Sequence, residues 1–112
     1  MYELNEVCIM TKANRKHSIL QGKEKYCWVS GARGVPLERH HCLHGTGMRA
    51  VADRLGLWVY LTPEWHRGTC GVHGKCGHEL DLRLKRECQK AYEERYGHDK
   101  WMKEIGRNYL DD

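Results

Sequence analysis

The sequence predicts an α+β fold, and three observations predict it. Runs of β-forming residues bounded by glycine or proline lie in the part of the chain up to Leu61. A long apolar stripe at helical spacing fills residues 79–96. Strand-type and helix-type segments are largely segregated rather than strictly alternating, the pattern of α+β domains. At 112 residues the chain is read as a single domain over 1–112 with one modest core.

Residues 2–10 mix Tyr2, Leu4, Val7, Ile9 and Met10 and are expected to form a strand. Residues 11–25 are basic and polar and suit a hairpin or extended arm. "YCWVSGARG" (26–34) is aromatic-rich and reads as a strand turning at Gly31 and Gly34. Pro36 opens a short strand, "LERHHCL". After the "GTGM" loop, residues 49–56 form a short helix ended by Gly56. "LWVYL" (57–61) between Gly56 and Pro63 is a strand. Thr62 as N-cap, Pro63 at the first helical position and Glu64 in the first turn start a second helix, limited by Gly68 and Gly71. Leu80, Leu84, Cys88 and Ala91 or Tyr92 make the stripe of the long helix, which Gly97 ends. Residues 99–106 form a last helix, with Asp99 as a cap and Trp101, Met102 and Ile105 docking on the body.

The net charge is +4, a mild basic bias that permits a nucleic-acid partner without requiring one. No stretch is apolar enough to span a membrane. "MYELNEVCIM" is too short and polar for a secretory segment, so a cytoplasmic protein with mostly reduced, buried thiols is expected. Cys8, Cys42 and Cys88 read as core thiols.

The histidines carry the functional signal. In "LERHHCLHG" (37–45), His40 and His41 are adjacent, and neighbours on a strand point to opposite faces. One of them can bind a metal while the other does something else. His44 follows as a loop histidine. Further on, "CGVHGKCGH" offers Cys70, His73, Cys76 and His78 at spacings that also suit a four-ligand structural zinc.

The order of histidine-bearing strand, loop, strand and histidine-bearing helix resembles the HNH family, the ββα-metal nucleases. The resemblance runs from about Cys27 to His73, with "LERHHCLHG" and "LWVYLTPEWHRGTCGVHG" at its centre. The whole chain is similar to small bacteriophage HNH proteins, through "ELDLRLKRECQKAYEERYG" and "GRNYL". It implies a ββα-metal core at about 27–73, preceded by a hairpin or arm and followed by a helical part at 79–110.

The resemblance also implies roles. His40, His66 and His73 match metal ligands, although the gap from His66 to His73 exceeds the usual one-turn spacing. His41 matches the general base. Arg39, Arg67 and His44 are the candidate DNA contacts. An imidazole can take a proton from water at neutral pH, while a divalent ion neutralises phosphate and leaving oxygen. One divalent ion is implied; three imidazoles suit Zn, Ni or Mn better than Mg. The family's middle Asn is missing near Gly56 and Leu57, which leaves Asp53 or a backbone carbonyl to orient His41. Two Cys pairs that hold a structural zinc in many members are reduced here to "CWVS" and "TPEW", so that zinc is expected to be absent, with Trp28, Trp58 and Trp65 filling the space.

The expected activity is DNA endonuclease, in a phage or prophage setting. The alternative is a non-catalytic protein of the same fold that inhibits a host defence or repair enzyme. A homodimer or a host protein is a possible partner.

Overall fold

The computed structural model of the chain describes residues 16–110. It is a mixed α+β fold. Strand β1 (Glu38–His41) is followed by helix α1 (Met48–Leu55), strand β2 (Trp58–Leu61) and helix α2 (Pro63–Arg67). The long helix α3 (His78–Tyr96) and helix α4 (His98–Ile105) complete it. β1 and β2 pair antiparallel, with His40 opposite Val59 and His41 opposite Trp58.

Each turn has a local cause. Gly56 adopts φ 74° and closes α1, with Leu57 N–H bonding to the Ala52 carbonyl at 2.8 Å. A left-handed residue at this position ends a helix most cheaply when it is glycine. Thr62 caps α2 as the sequence predicts: its hydroxyl accepts from the Trp65 N–H, and Pro63 takes the first turn. Gly97, at φ 91°, separates α3 from α4.

Three expectations change. The strand expected at 26–34 is a series of turns and bends. Gly31 and Gly34 hold positive φ, and Cys27 N–H folds back to the Ala32 carbonyl at 3.0 Å. The outer edge of β2 is covered by other groups instead. Ser18 Oγ donates to the Trp58 carbonyl at 2.6 Å, and Tyr60 N–H donates to Gln21 Oε1 at 2.8 Å. Trp28 N–H reaches the Tyr60 carbonyl at 2.9 Å. These bonds satisfy strand groups that a third strand would otherwise pair. In the described part of 11–25, the expected hairpin is reduced to one bridge between Ser18 and Gly22. Asp99 lies in the first turn of α4 but makes no side-chain cap. The expected strand at 2–10 and Cys8 lie outside the described residues.

The core joins the sheet to the helices through Leu43, Leu57, Val59, Leu84, Tyr92 and Trp101. Arg54 of α1 bonds to Glu104 of α4 at 2.8 Å. Gln89, buried on α3, fixes the C-terminal segment through Asn108 and the Tyr109 N–H, both at 2.7 Å. Cys42 and Cys88 are core thiols as expected, and Cys27 is buried in the same core. Cys70 and Cys76, which the sequence offers as zinc ligands and not as core thiols, are both exposed. Among the described residues no helix is long and apolar enough to cross a membrane.

Candidate metal centre

The period of two along β1 divides its side chains between two tasks. Glu38 and His40 face α2 and the loop beyond it, whereas Arg39 and His41 face α1. The contacts follow this division. Glu38 meets His66 and Arg67, and His40 meets His66 and His73. Arg39 and His41 both meet Asp53.

His40, His66 and His73 converge. Their ring centroids lie 5.3 Å (His40–His66), 5.0 Å (His40–His73) and 4.9 Å (His66–His73) apart. One ring nitrogen from each falls within 4.8 Å of the others. His40 is 1% exposed, and its Nε2 is buried without a hydrogen-bond partner. A buried polar atom left unpaired is costly and calls for a ligand or an ion. Burial first, and then the neighbouring His73, His66 and His44, push the His40 pKa down to about 3. His73 is lowered for the same reasons, burial first and then His66 and His44. Converging imidazole nitrogens, with His40 and His73 disposed against protonation, suit a divalent ion of borderline softness.

The length of chain between His66 and His73 is taken up by a glycine coil. Gly68, Gly71, Gly74 and Gly77 recur every third residue. The N–H of each of the last three closes a turn on the carbonyl of the preceding glycine, at 2.9, 2.8 and 3.1 Å. Space, not φ, demands glycine here. A Cβ on Gly74 would lie 2.0 Å from the Gly68 oxygen, and one on Gly77 would lie 2.0 Å from the Gly71 oxygen.

Set against family models, curated proteins and solved structures, the chain has no match.

Carboxylates that the sequence reading passed over orient the rings. His66 Nδ1 donates to Glu38 Oε1 at 2.7 Å, which leaves Nε2 for the cluster. Such a carboxylate fixes the tautomer of a metal-binding imidazole. Glu38 also holds Arg67 through two bonds. The Arg67 guanidinium, then the His66 ring, pull the Glu38 pKa down to about 2. His44 sits 5.6 Å from His40 and 5.7 Å from His73, ring to ring, and its Nε2 bonds to Asp81 of α3 at 3.1 Å. Asp81 in turn accepts from Lys85 at 2.7 Å. His40, His44 and Asp81 form a second group able to hold an ion, sharing His40 with the first. The long helix α3 therefore also supplies a residue of the candidate site.

His41 stands apart from the cluster. Its Nε2 donates to Asp53 Oδ1 at 2.7 Å, and its side chain is 13% exposed. The bond to His41 outweighs the opposing effect of burial and, aided by the His41 and Arg39 charges, lowers the Asp53 pKa. Of the two groups expected to orient His41, Asp53 or a backbone carbonyl, Asp53 is the one its ring meets. An open cavity of about 350 Å³ joins both parts. Arg39, His40, His41, His44, His66 and His73 line it, together with Arg49, which the sequence reading did not single out. Arg39 lies across the Trp58 ring at 3.8 Å. Arg67 lies outside this lining, paired with Glu38.

The four-ligand arrangement of Cys70, His73, Cys76 and His78 does not assemble. His73 is turned to His40 and His66, and neither cysteine nor His78 joins a metal-capable group among the described residues.

Proposed function

We propose that this chain is a metal-dependent DNA endonuclease of the HNH type that hydrolyses phosphodiester bonds. One observation carries the proposal: His40, His66 and His73 converge around the unpartnered His40 Nε2, while the adjacent His41 is held on the opposite strand face by Asp53. β1, β2 and α2 would then be the ββα-metal unit. Cytoplasmic phage or prophage origin belongs to the same proposal.

His40, His66 and His73 would hold the ion, which when bound withdraws charge from the scissile phosphate and the departing oxygen. Asp53 fixes the His41 proton on Nε2, so the Nδ1 lone pair is the one free to take a proton from water. The developing imidazolium is stabilised by the Asp53 carboxylate, on the logic of any oriented histidine base. Glu38 keeps the His66 Nε2 directed inward. Arg39, Arg49 and His44 at the cavity rim suit contacts to backbone phosphates, which predicts weak sequence preference and binding that weakens with salt.

A plasmid-nicking assay with Mn, Mg, Ni and Zn tests the proposal. The purified chain is expected to nick with at least one of them. His41→Ala should abolish nicking and retain the metal, and His66→Ala should lose both. Cleavage that survives His41→Ala removes the base assignment. No cleavage with any of the four ions, at full metal loading, favours the non-catalytic binding protein.

A further inference from the structure

Cys70 and Cys76 take no part in the histidine cluster, yet the glycine coil presents them together. Both are exposed, whereas Cys27, Cys42 and Cys88 are buried. They stand at equivalent points of the three-residue repeat, each directly before a glycine and each three residues from His73. The Cys76 N–H bonds to the Thr69 carbonyl at 2.9 Å, which folds one cysteine back beside the other. The neighbouring Cys76 thiol raises the Cys70 pKa, in keeping with two thiols side by side.

We propose that Cys70 and Cys76 form a modification site, a surface dithiol that small-molecule disulfides convert into an intramolecular Cys70–Cys76 disulfide enclosing His73. One protein thiolate attacks a sulfur of the small disulfide RSSR and expels RS⁻, giving a mixed disulfide. The second protein thiolate attacks the protein sulfur of that bond and expels the second RS⁻. The two thiol protons pass to the two released thiolates, so one RSSR is reduced to two RSH as the protein loses two hydrogens. Exposed disulfides of this kind are the readily reduced ones, so the step is reversible by small thiols.

The closed clasp spans Gly71 and Gly74, whose backbones have the most conformational freedom to lose. It therefore holds His73 beside His40 and His66 and slows loss of the ion. This last consequence rests on the metal-binding role of His73 proposed above; the disulfide itself does not.

The full chain is treated with glutathione disulfide, digested with trypsin without reduction and analysed by mass. The expected product is peptide 68–75 joined to peptide 76–83 with the loss of two hydrogens. Links to Cys8, Cys27, Cys42 or Cys88, or mixed disulfides alone, overturn the proposal. Cys70→Ser should stop at the mixed disulfide on Cys76. In a second arm, Co²⁺-loaded protein is challenged with EDTA. The oxidised form should release the ion several-fold more slowly than the reduced form, a difference absent in Cys70→Ser. Equal release rates overturn the clasp around His73. Failure of both forms to bind Co²⁺ would instead strike at the metal centre, with the peptide linkage still read independently.

Discussion

The backbone N–H of His73 donates to the carbonyl of His66 at 3.0 Å. Two proposed ligands seven positions apart in sequence are thus joined main chain to main chain. The neighbouring Val72 N–H makes the same kind of bond to the Trp65 carbonyl at 2.8 Å. Such bonds require successive coils to approach closely, and only glycine at Gly68, Gly71, Gly74 and Gly77 leaves room for that.

Gly74→Ala should therefore damage the centre without touching a ligand. Its Cβ would meet the backbone oxygens of Gly68 and Thr69, at 2.0 and 2.4 Å. A clash with main chain cannot be relieved by a side-chain rotation, so a loss of about 2 kcal/mol is expected. Thermal unfolding and a Zn²⁺ titration should both show the defect. Lys75→Ala, on the same coil with its side chain exposed, should leave both unchanged.

Glu38→Gln tests the orientation of His66. The amide no longer balances the charge on Arg67 and is a weaker acceptor for the His66 Nδ1–H. Metal affinity should fall about 10- to 100-fold, the usual range for losing a carboxylate behind a ligating histidine. Calorimetric titration measures this directly. An unchanged affinity would mean that His66 is oriented by packing alone.

Asp53→Asn separates the two halves of the site. The His41 ring keeps a neighbour able to accept a hydrogen bond but loses the carboxylate charge that faces the imidazolium formed in the proposed reaction. Nicking should slow by at least about 10-fold, with metal content unaltered. Equal losses of metal and activity would contradict the division of labour across β1.

Acid should destabilise the metal-free protein in a defined window. His40 titrates at about 3 in the folded state against an ordinary value of 6.5. Between those values the unfolded chain binds more protons, so stability falls as pH drops from 6.5 toward 3. Glu38, at about 2 against 4.5, adds a loss of the same sign below 4.5. Urea unfolding in the presence of chelator should show ~2–3 kcal/mol less stability at pH 4.5 than at pH 7 from His40 alone. A flat profile over that range would show that His40 is not held neutral by burial.

Much of the architecture is legible in local chemistry. Thr62–Pro63–Glu64 opens α2, Gly56 closes α1 and Gly97 closes α3, because each solves a hydrogen-bonding or φ problem within a few residues. The strand expected at 26–34 fails because β-propensity does not say whether a neighbouring edge is free. Ser18 and Gln21, from elsewhere in the chain, take part of that edge and leave the 26–34 segment one bond to it, from the Trp28 N–H to the Tyr60 carbonyl. The period-three glycines at 68–77 were the one local signal of how His73 returns to His66, and they are plain in the sequence once the coil is known.

By itself the sequence determined that His40 and His41 serve different faces, since alternation along a strand is a property of the backbone. It also supplied the candidate histidines and the helix boundaries. Only the tertiary structure decided which carboxylate meets which ring: Glu38 with His66, Asp53 with His41 and Asp81 with His44. These pairs are separated by 28, 12 and 37 positions. No local rule links residues so distant, because their meeting depends on how the sheet, α1, α2 and α3 pack around one core.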